Sequence, residues 1–369
     1  MRMRLSLSFL AGWAANACSS DATLEPDNDG AHVQWTSPVA EHWTGPLTWS
    51  NKWAMSRLTW SVDGLDADWV REIEQSLVRY SSVVDLAFVR VSDDGMLRFG
   101  SKNLEPGIAG KAFHPSDSGF SNVWFDESLS LSAQPDFAAH VIGHEIGHAL
   151  GLRHPFSEPH DDNGEALIEF FGDSGAVSIM TFDRDLLPKG PMILDIAALH
   201  WLYGAVEANQ DDTTYSDWSQ AFAIWDTGGV DTIVELSSAD NHVDLNEGSL
   251  SRIGVSVSIG KVEMGVTDPN VGIAFGAEIE NATTGAGNDV LLGNQLDNRL
   301  EAGSGVNIVS TGDGHDVIVW ADEARTTVTD FQAGVDRLEG FEGAEWSYFD
   351  GYRVAELGSS EFVFMGWAG

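Results

Sequence analysis

The stretch "HEIGHALGLRHP", His144 to Pro155, sets three histidines, one glutamate and a glycine at fixed intervals. Residues four apart share a face of an α-helix, so His144 and His148 can aim ring nitrogens at one point with Glu145 beside them. Gly151 can take the left-handed conformation that ends a helix and turns the chain, which lets His154 return as a third ligand. Three neutral imidazoles leave one tetrahedral position for water, the arrangement of a catalytic rather than a structural zinc ion. The metal lowers the pKa of that water, and Glu145 is placed to take its proton. Chance produces the whole spacing in a chain of this composition on the order of once in ten thousand sequences, which separates it from a helix that merely contains histidines.

Working outward, "QPDFAAHVIGHEIGHALG" predicts a helix that starts near Pro135 and stops at Gly151. "SRLTWSV", "VDLAFVRV" and "GFSNVWFDES" read as strands from their alternation and β-branched content. "DADWVREIEQSLVRYSS" reads as an amphipathic helix capped by Asp66 or Asp68, and "PMILDIAALHWLYGA" as the last clear helix. His140, one turn before His144, has no matching carboxylate and reads as a helix-surface residue, while His160 in "EPHDD" reads as a solvated loop residue. His114, His200 and His315 carry no spacing signal.

From about residue 206 helical periodicity is lost, and Gly, Asp, Asn and Thr punctuate short apolar pieces, a β pattern with many turns. Within it lies a period of nine: "TGAGNDVLL" from Thr284, "GNQLDNRLE" from Gly293, "AGSGVNIVS" from Ala302 and "TGDGHDVIV" from Thr311. The sixth place reads Asp289, Asn298, Asn307, Asp316, and the eighth reads Leu291, Leu300, Val309, Ile318, a register that four units do not share by accident.

Composition narrows the function. With 369 residues the chain is long enough for two domains. A formal net charge of −38 repels phosphate backbones and excludes a nucleic-acid partner. Residues 206–369 hold 6 Lys+Arg against 29 Asp+Glu, so most of the acid excess sits in the smaller half, where carboxylates suit hard cations such as calcium as well as solubility. The single cysteine, Cys18, excludes an intramolecular disulfide and a cysteine-based zinc site. It follows a basic start, an apolar run and Ala15-Asn16-Ala17, the layout of an export signal; a lipid anchor on Cys18 is the variant of that reading, although Ala15 stands where a larger aliphatic is usual. No other segment has the length and apolarity of a transmembrane span.

Taken together, these motifs resemble the metzincin zinc peptidases, and within them the serralysin family. "SIMTFD", Ser178 to Asp183, resembles the tight turn whose methionine, here Met180, lies beneath the zinc histidines; "LDIAALHWLYGA" resembles the helix that closes the catalytic domain; and "SNVWFDES" resembles the edge strand on which an extended peptide is laid. "IWDTGGVDT" and "HVDLNEGS" are similar to the linker to a parallel β-roll, and the nonapeptides to the calcium-binding repeats of RTX proteins. "VTDFQAGVDRLE" is similar to the segment that follows those repeats, so the likeness runs over roughly residues 50 to 340.

The resemblance implies an α/β (α+β) metzincin catalytic domain over 51–205, preceded by an export signal (1–18) and a linker or short pro-segment (19–50). An all-β parallel β-roll with a C-terminal domain would follow over 206–369. It implies one catalytic Zn2+ on His144, His148 and His154, Glu145 as catalytic residue, and several structural Ca2+ ions. Asp226, Gly228, Gly229 and Asp231 would hold one calcium, and Glu280, Gly285, Gly287 and Asp289 a second. Gly303, Gly305, Asn307, Gly312, Gly314 and Asp316 continue the array. If two units make one turn of the roll, Asp289 faces Gly303–Asn307 and Asp316 faces Asn294–Asn298.

Two departures stand out. Phe182 occupies the place of a tyrosine that ligates and donates, and Asn294, Leu296, Asn298 and Asn307 erode the middle repeats, which implies fewer and weaker calcium sites. The expectation is a secreted, monomeric zinc endopeptidase acting on polypeptides along the strand Asn122–Phe125. The alternative is a calcium-dependent binding or structural protein with a weakened peptidase domain.

Overall fold

A computed structural model describes residues 47–48, 51–115, 119–155, 174–255, 262–349 and 352–365. The export signal with Cys18, and His160, lie outside the described residues. Five strands, β1 (Arg57–Asp63), β2 (Ala87–Arg90), β3 (Leu97–Lys102), β4 (Gly110–Ala112) and β5 (Ser121–Asp126), form one sheet in the order β2-β1-β3-β5-β4. Its pairings are parallel except that of β4, which runs antiparallel to β5.

Among the described residues three helices accompany the sheet: α1 (Ala67–Ser81), α2 (Pro135–Leu150) and α3 (Ile193–Tyr203). Asp66 caps α1, its Oδ1 accepting from the backbone N–H groups of Asp68 and Trp69 at 3.0 and 3.1 Å. Val70, Ile73, Leu77 and Tyr80 recur on one face of that helix and are buried, as helical spacing requires. They share a core with Leu58, Leu97, Phe99, Val123 and Phe125 of the sheet and Ile142, Ile146 and Leu150 of α2. The helix α2 begins with proline and ends at Gly151, whose φ of 106° is the left-handed cap expected of it.

One expectation about the sheet is overturned. The strand over Asn122–Phe125 is not an edge, because β4 pairs along it with Gly110 opposite Phe125, Lys111 opposite Trp124 and Ala112 opposite Val123. The edge on that side of the sheet is β4 itself. A three-residue strand in a glycine-bearing stretch has too little alternation to be read from sequence.

Beyond α3 the described residues contain strands and turns without helix. Asn281–Thr284, Arg299–Glu301 and Val317–Val319 pair in parallel in one sheet; Val290–Leu292, Gly305–Ser310 and Ala324–Val328 do so in another. The chain alternates between the two sheets, so equivalent turn residues recur 18 apart. Two nonapeptides therefore make one turn, with Leu291 beside Val309 and Leu300 beside Ile318. These eighth-place side chains are at most 1% exposed and fill the space between the sheets, together with Ala282 and Val328. Parallel sheets joined this way are compatible with a β-roll.

Val83 and Ile196 belong to the core that the β region builds, which joins the two halves. At that joint His200 of α3 donates from Nε2 to the Val83 carbonyl at 2.6 Å, and its ring lies 4.4 Å from that of Trp225. Its Nδ1 is buried without a partner, and burial lowers the pKa to about 4 against the opposing pull of the Val83 carbonyl. Between pH 6.5 and 4 the unfolded chain takes up a proton that the folded one refuses, so stability falls as pH drops, by about 2 kcal/mol at pH 5. His200→Gln is therefore expected to shrink the loss of unfolding free energy between pH 7.5 and 5 by about that amount in urea denaturation; an equal loss in both proteins would refute the assignment.

Candidate metal centre and cleft

The helix α2 sets His144 and His148 one turn apart, and the cap at Gly151 swings the chain back so that the Nε2 of His154 lies 3.0 Å from the Nε2 of each. Among the described residues these three bring ligand atoms within 4.8 Å of one another. Their other nitrogens are committed: Nδ1–H of His144 donates to the Ile179 carbonyl at 2.9 Å and that of His148 to Leu152 at 3.0 Å. Burial lowers the pKa of all three, His144 most strongly and His154 to about 4, so the rings are neutral. Three unprotonated nitrogens aimed at one point repel each other unless a cation sits between them, so the donor set fits a metal ion.

Glu145 lies beside this point, 5% exposed, with no partner on its Oε2. Burial pushes its pKa up to about 8, opposed by a hydrogen bond from the Ala112 backbone. The carboxylate abuts β4 so closely that a Cβ on Gly110 would stand 2.7 Å from Oε1.

Beneath the histidines, Gly143 and Gly147 form a smooth strip on α2. A Cβ at Gly143 would meet the Ile179 side chain at 2.6 Å, and one at Gly147 would meet Met180 Sδ at 2.6 Å and the Tyr80 hydroxyl at 3.0 Å. Tyr80, buried, donates to the Gly143 carbonyl at 2.8 Å. From the other side Asp195 clamps the Met180 turn: Oδ1 accepts from Ser178 Oγ at 2.7 Å, and Oδ2 from the N–H of Ile179 at 2.6 Å and of Met192 at 2.9 Å. Burial raises Asp195 to about 6 while those three donors pull it down. Sequence reading placed Met180 but missed Tyr80 and Asp195, whose partners are remote in the chain and carry no motif of their own.

A cleft of about 680 Å³ opens over the three histidines and Glu145, bordered by β4 on one side and Phe182 on the other. Phe182 is 58% exposed, and its ring centroid is 4.4 Å from that of His154. His140 is not the helix-surface residue expected: it is buried, and its Nδ1 meets the Pro188 carbonyl at 2.8 Å, because the chain after Met180 returns across that face of α2.

In the β region Asp226 and Asp231 are fully buried. The Tyr215 hydroxyl donates to Asp226 Oδ2 at 2.6 Å, Thr213 N–H to Asp231 Oδ1 at 2.7 Å, and Asp231 N–H to Glu280 Oε2 at 2.7 Å. Glu280 is thus drawn to Asp231, whereas Asp289 accepts from the backbone and side chain of Asn241, and Gly285 and Gly287 stack under Ser237 and Ala239. Asn307 Oδ1 accepts from the Asp289 N–H at 3.0 Å, and Asp316 Oδ1 from the Asn298 N–H at 2.8 Å, the facing turns that a two-unit turn requires. Gly303 and Gly305, with φ of 63° and 103°, lie so close under the carbonyls of Gly285 and Gly287 that no side chain fits. Gly312 and Gly314 repeat this under Asn294 and Leu296. One carboxylate oxygen each of Asp231, Asp289 and Asp316 is buried without a partner, and burial raises Asp231 to about 6 and Asp316 to about 7, helped by neighbouring acids. In the eroded unit amides replace charge: Asn298 Nδ2 donates to Asn294 Oδ1 at 2.9 Å, and Asn294 Nδ2 to the carbonyls of Leu245 and Ile279.

The family model described as the peptidase M10 serralysin C terminal matches residues 202–343, and that of the dual-action HEIGH metallo-peptidases matches residues 91–180. Serralysin G of Dickeya chrysanthemi is 31% identical over 325 residues, 73% of this chain and 66% of that protein. Metallopeptidase AprA of Pseudomonas marginalis is 30% identical over 266 residues, 60% of this chain and 53% of its own length. Serralysin of Photorhabdus luminescens is 29% identical over 266 residues, 61% and 52% respectively. The chain therefore spans between half and two thirds of the length of these relatives.

The glycine strip makes a direct prediction. Gly147→Ala is expected to force Met180 away from α2 and to lower stability by about 1–3 kcal/mol, measured as a shift of the urea midpoint. An unchanged midpoint would show that the contact has slack.

Proposed function

We propose that this chain, a member of the serralysin-type metallopeptidases, is a zinc-dependent endopeptidase that cleaves extended polypeptides outside the cell. The observation that carries this reading is the convergence of three neutral imidazoles, with His154 Nε2 3.0 Å from each of its neighbours, beside a buried Glu145 oxygen that has no partner. A zinc ion held by His144, His148 and His154 would supply Lewis acidity toward a scissile carbonyl and make a nucleophile of water at neutral pH. With the charge of that cation beside it favouring the carboxylate that burial alone disfavours, Glu145 would accept the proton of the attacking water and return it to the leaving amine. The edge of β4 binds the substrate backbone as an added strand, which gives affinity without strict sequence demand and lays the peptide against Glu145. Phe182 presents a ring with no donor beside His154, so it adds nothing to the stabilisation of an oxyanion.

The β region would act as a calcium-stabilised support. The orphaned oxygens of Asp231, Asp289 and Asp316, with Asp226, Glu280 and the carbonyls of the glycine turns, are hard donors that fit calcium. Outside the cell, where calcium is abundant, binding would couple to folding of this half.

Two experiments test the reading. On an unstructured protein substrate Glu145→Ala should lower kcat by about 10²- to 10⁴-fold, and a chelator should abolish cleavage until zinc is restored. Phe182→Tyr should raise kcat by about tenfold or more, part of what one oxyanion donor supplies. Equal activity of wild type, Glu145→Ala and chelated protein would sink the proposal, while cleavage seen only in Phe182→Tyr would favour the calcium-dependent binding protein with a weakened peptidase. For the second half, circular dichroism during calcium titration should show a gain of β signal that Asp316→Ala diminishes; a flat titration would refute calcium-coupled folding.

A further inference from the structure

We propose that Lys111, on the edge strand β4, makes the cleft select polypeptides that carry an aspartate or glutamate at the position paired with it across that edge. The inference rests on the endopeptidase reading above.

The pleat decides where Lys111 points. Gly110 and Ala112 pair with Phe125 and Val123, both fully buried on the core face of the sheet, and Gly110 abuts Glu145. Alternation sends Lys111, between them and opposite Trp124, to the other face. There it is exposed, with its Nζ 6.0 Å from the ring centroid of Phe113. Lys102, at the end of β3, joins the same face, its Nζ 5.9 Å from the Trp124 ring. Two of the chain's five lysines thus border the cleft of a protein whose net charge is −38.

Neither lysine is held in an ion pair among the described residues. The nearest acid on that face of β5, Asp126, is occupied by the N–H groups of Leu104 at 2.8 Å and Ser128 at 2.9 Å. Charges more than about 8 Å apart are largely screened at physiological ionic strength, so the distant acid excess does not cancel two ammonium groups beside the edge. Lys102 and Lys111 thus place two ammonium groups beside the edge of β4, and Glu105 is the nearby carboxylate on the outer lining of the cleft.

A peptide added to β4 puts alternate side chains on this outer face, and the one opposite Lys111 becomes a cross-strand neighbour. A carboxylate there gains an ion pair, and a lysine or arginine meets a like charge. Phe113 and Trp124 give the aliphatic stems of the lysines apolar surface to lie on, which keeps the ammonium groups near the edge.

The test uses the full-length, zinc-loaded protein and internally quenched peptides that carry glutamine at every flanking position, with a single glutamate moved through them. One register is expected to raise kcat/KM about two- to fivefold over the glutamine peptide, the range of an exposed cross-strand ion pair, through KM and not kcat. High salt should remove the preference, and Lys111→Glu should reverse it toward lysine. Cleavage of the glutamine peptide with no glutamate register preferred, or a preference that survives Lys111→Glu, overturns this inference and leaves the endopeptidase reading intact. If wild type and Phe182→Tyr cleave no peptide at all, both fall.

Discussion

The contact between the glycine strip of α2 and the turn that carries Met180 is the constraint on which the three-histidine cluster depends. Gly143 and Gly147 are four residues apart, directly below His144 and His148, and their missing side chains let the turn come within van der Waals distance of the helix backbone. That proximity brings the Ile179 carbonyl to His144 Nδ1, which orients the ring whose other nitrogen faces the metal point. Tyr80 ties the helix to α1 and Asp195 ties the turn to α3, so three helices hold one loop. An aspartate buried with three donors holds the turn at one backbone N–H and one hydroxyl and caps its own helix through Met192, so a small displacement would leave its carboxylate unsatisfied.

The β half answers a different problem, that of burying acids. Parallel stacking puts the glycine turns of successive rungs on top of one another, which lines up carbonyl oxygens and sixth-place carboxylates in the same column. Most oxygens of the column meet a protein donor, and one carboxylate oxygen each of Asp231, Asp289 and Asp316 does not. The two aspartate-to-asparagine departures remove charge and supply the missing donors, which closes those turns by amide hydrogen bonds. Erosion of the repeat is therefore compensated within the same turns.

Between the two halves, α3 serves both. Its Asp195 belongs to the metal centre, its Ile196 to the core of the β region, and its His200 to the joint with Val83 and Trp225. Any loosening of the β region bears on a helix that also holds the Met180 turn, which gives the β region a physical route to the stability of the half that carries the three histidines. At the far side of the cleft, β4 is short and lies at the edge of the sheet, with glycine and alanine turned to Glu145 and lysine turned outward, so one strand abuts a buried carboxylate on one face and presents positive charge on the other.

Much of this was legible in the residues because it depends on local spacing. The i, i+4 histidines, the glycine that ends α2, the cap at Asp66 and the period of nine each follow from helix or rung geometry, which repeats within a few residues. What escaped depends on contacts between distant segments. Sequence favours Asn122–Phe125 as the edge strand because three residues of β4 carry no periodicity, and the pairing of β4 exists only once residues 110–112 fold back on β5. His140 looks like a helix-surface residue in sequence because the chain that covers it arrives 48 residues later. Tyr80 and Asp195 look like ordinary members of amphipathic helices until the fold brings 63 and 16 residues of separation down to a hydrogen bond. Sequence alone determined the grouping of the three histidines and the repeat, since short-range geometry generates both; which strand is free, which histidine is buried and what clamps the loop were decided by tertiary structure, because packing brings together residues whose sequence positions carry no record of each other.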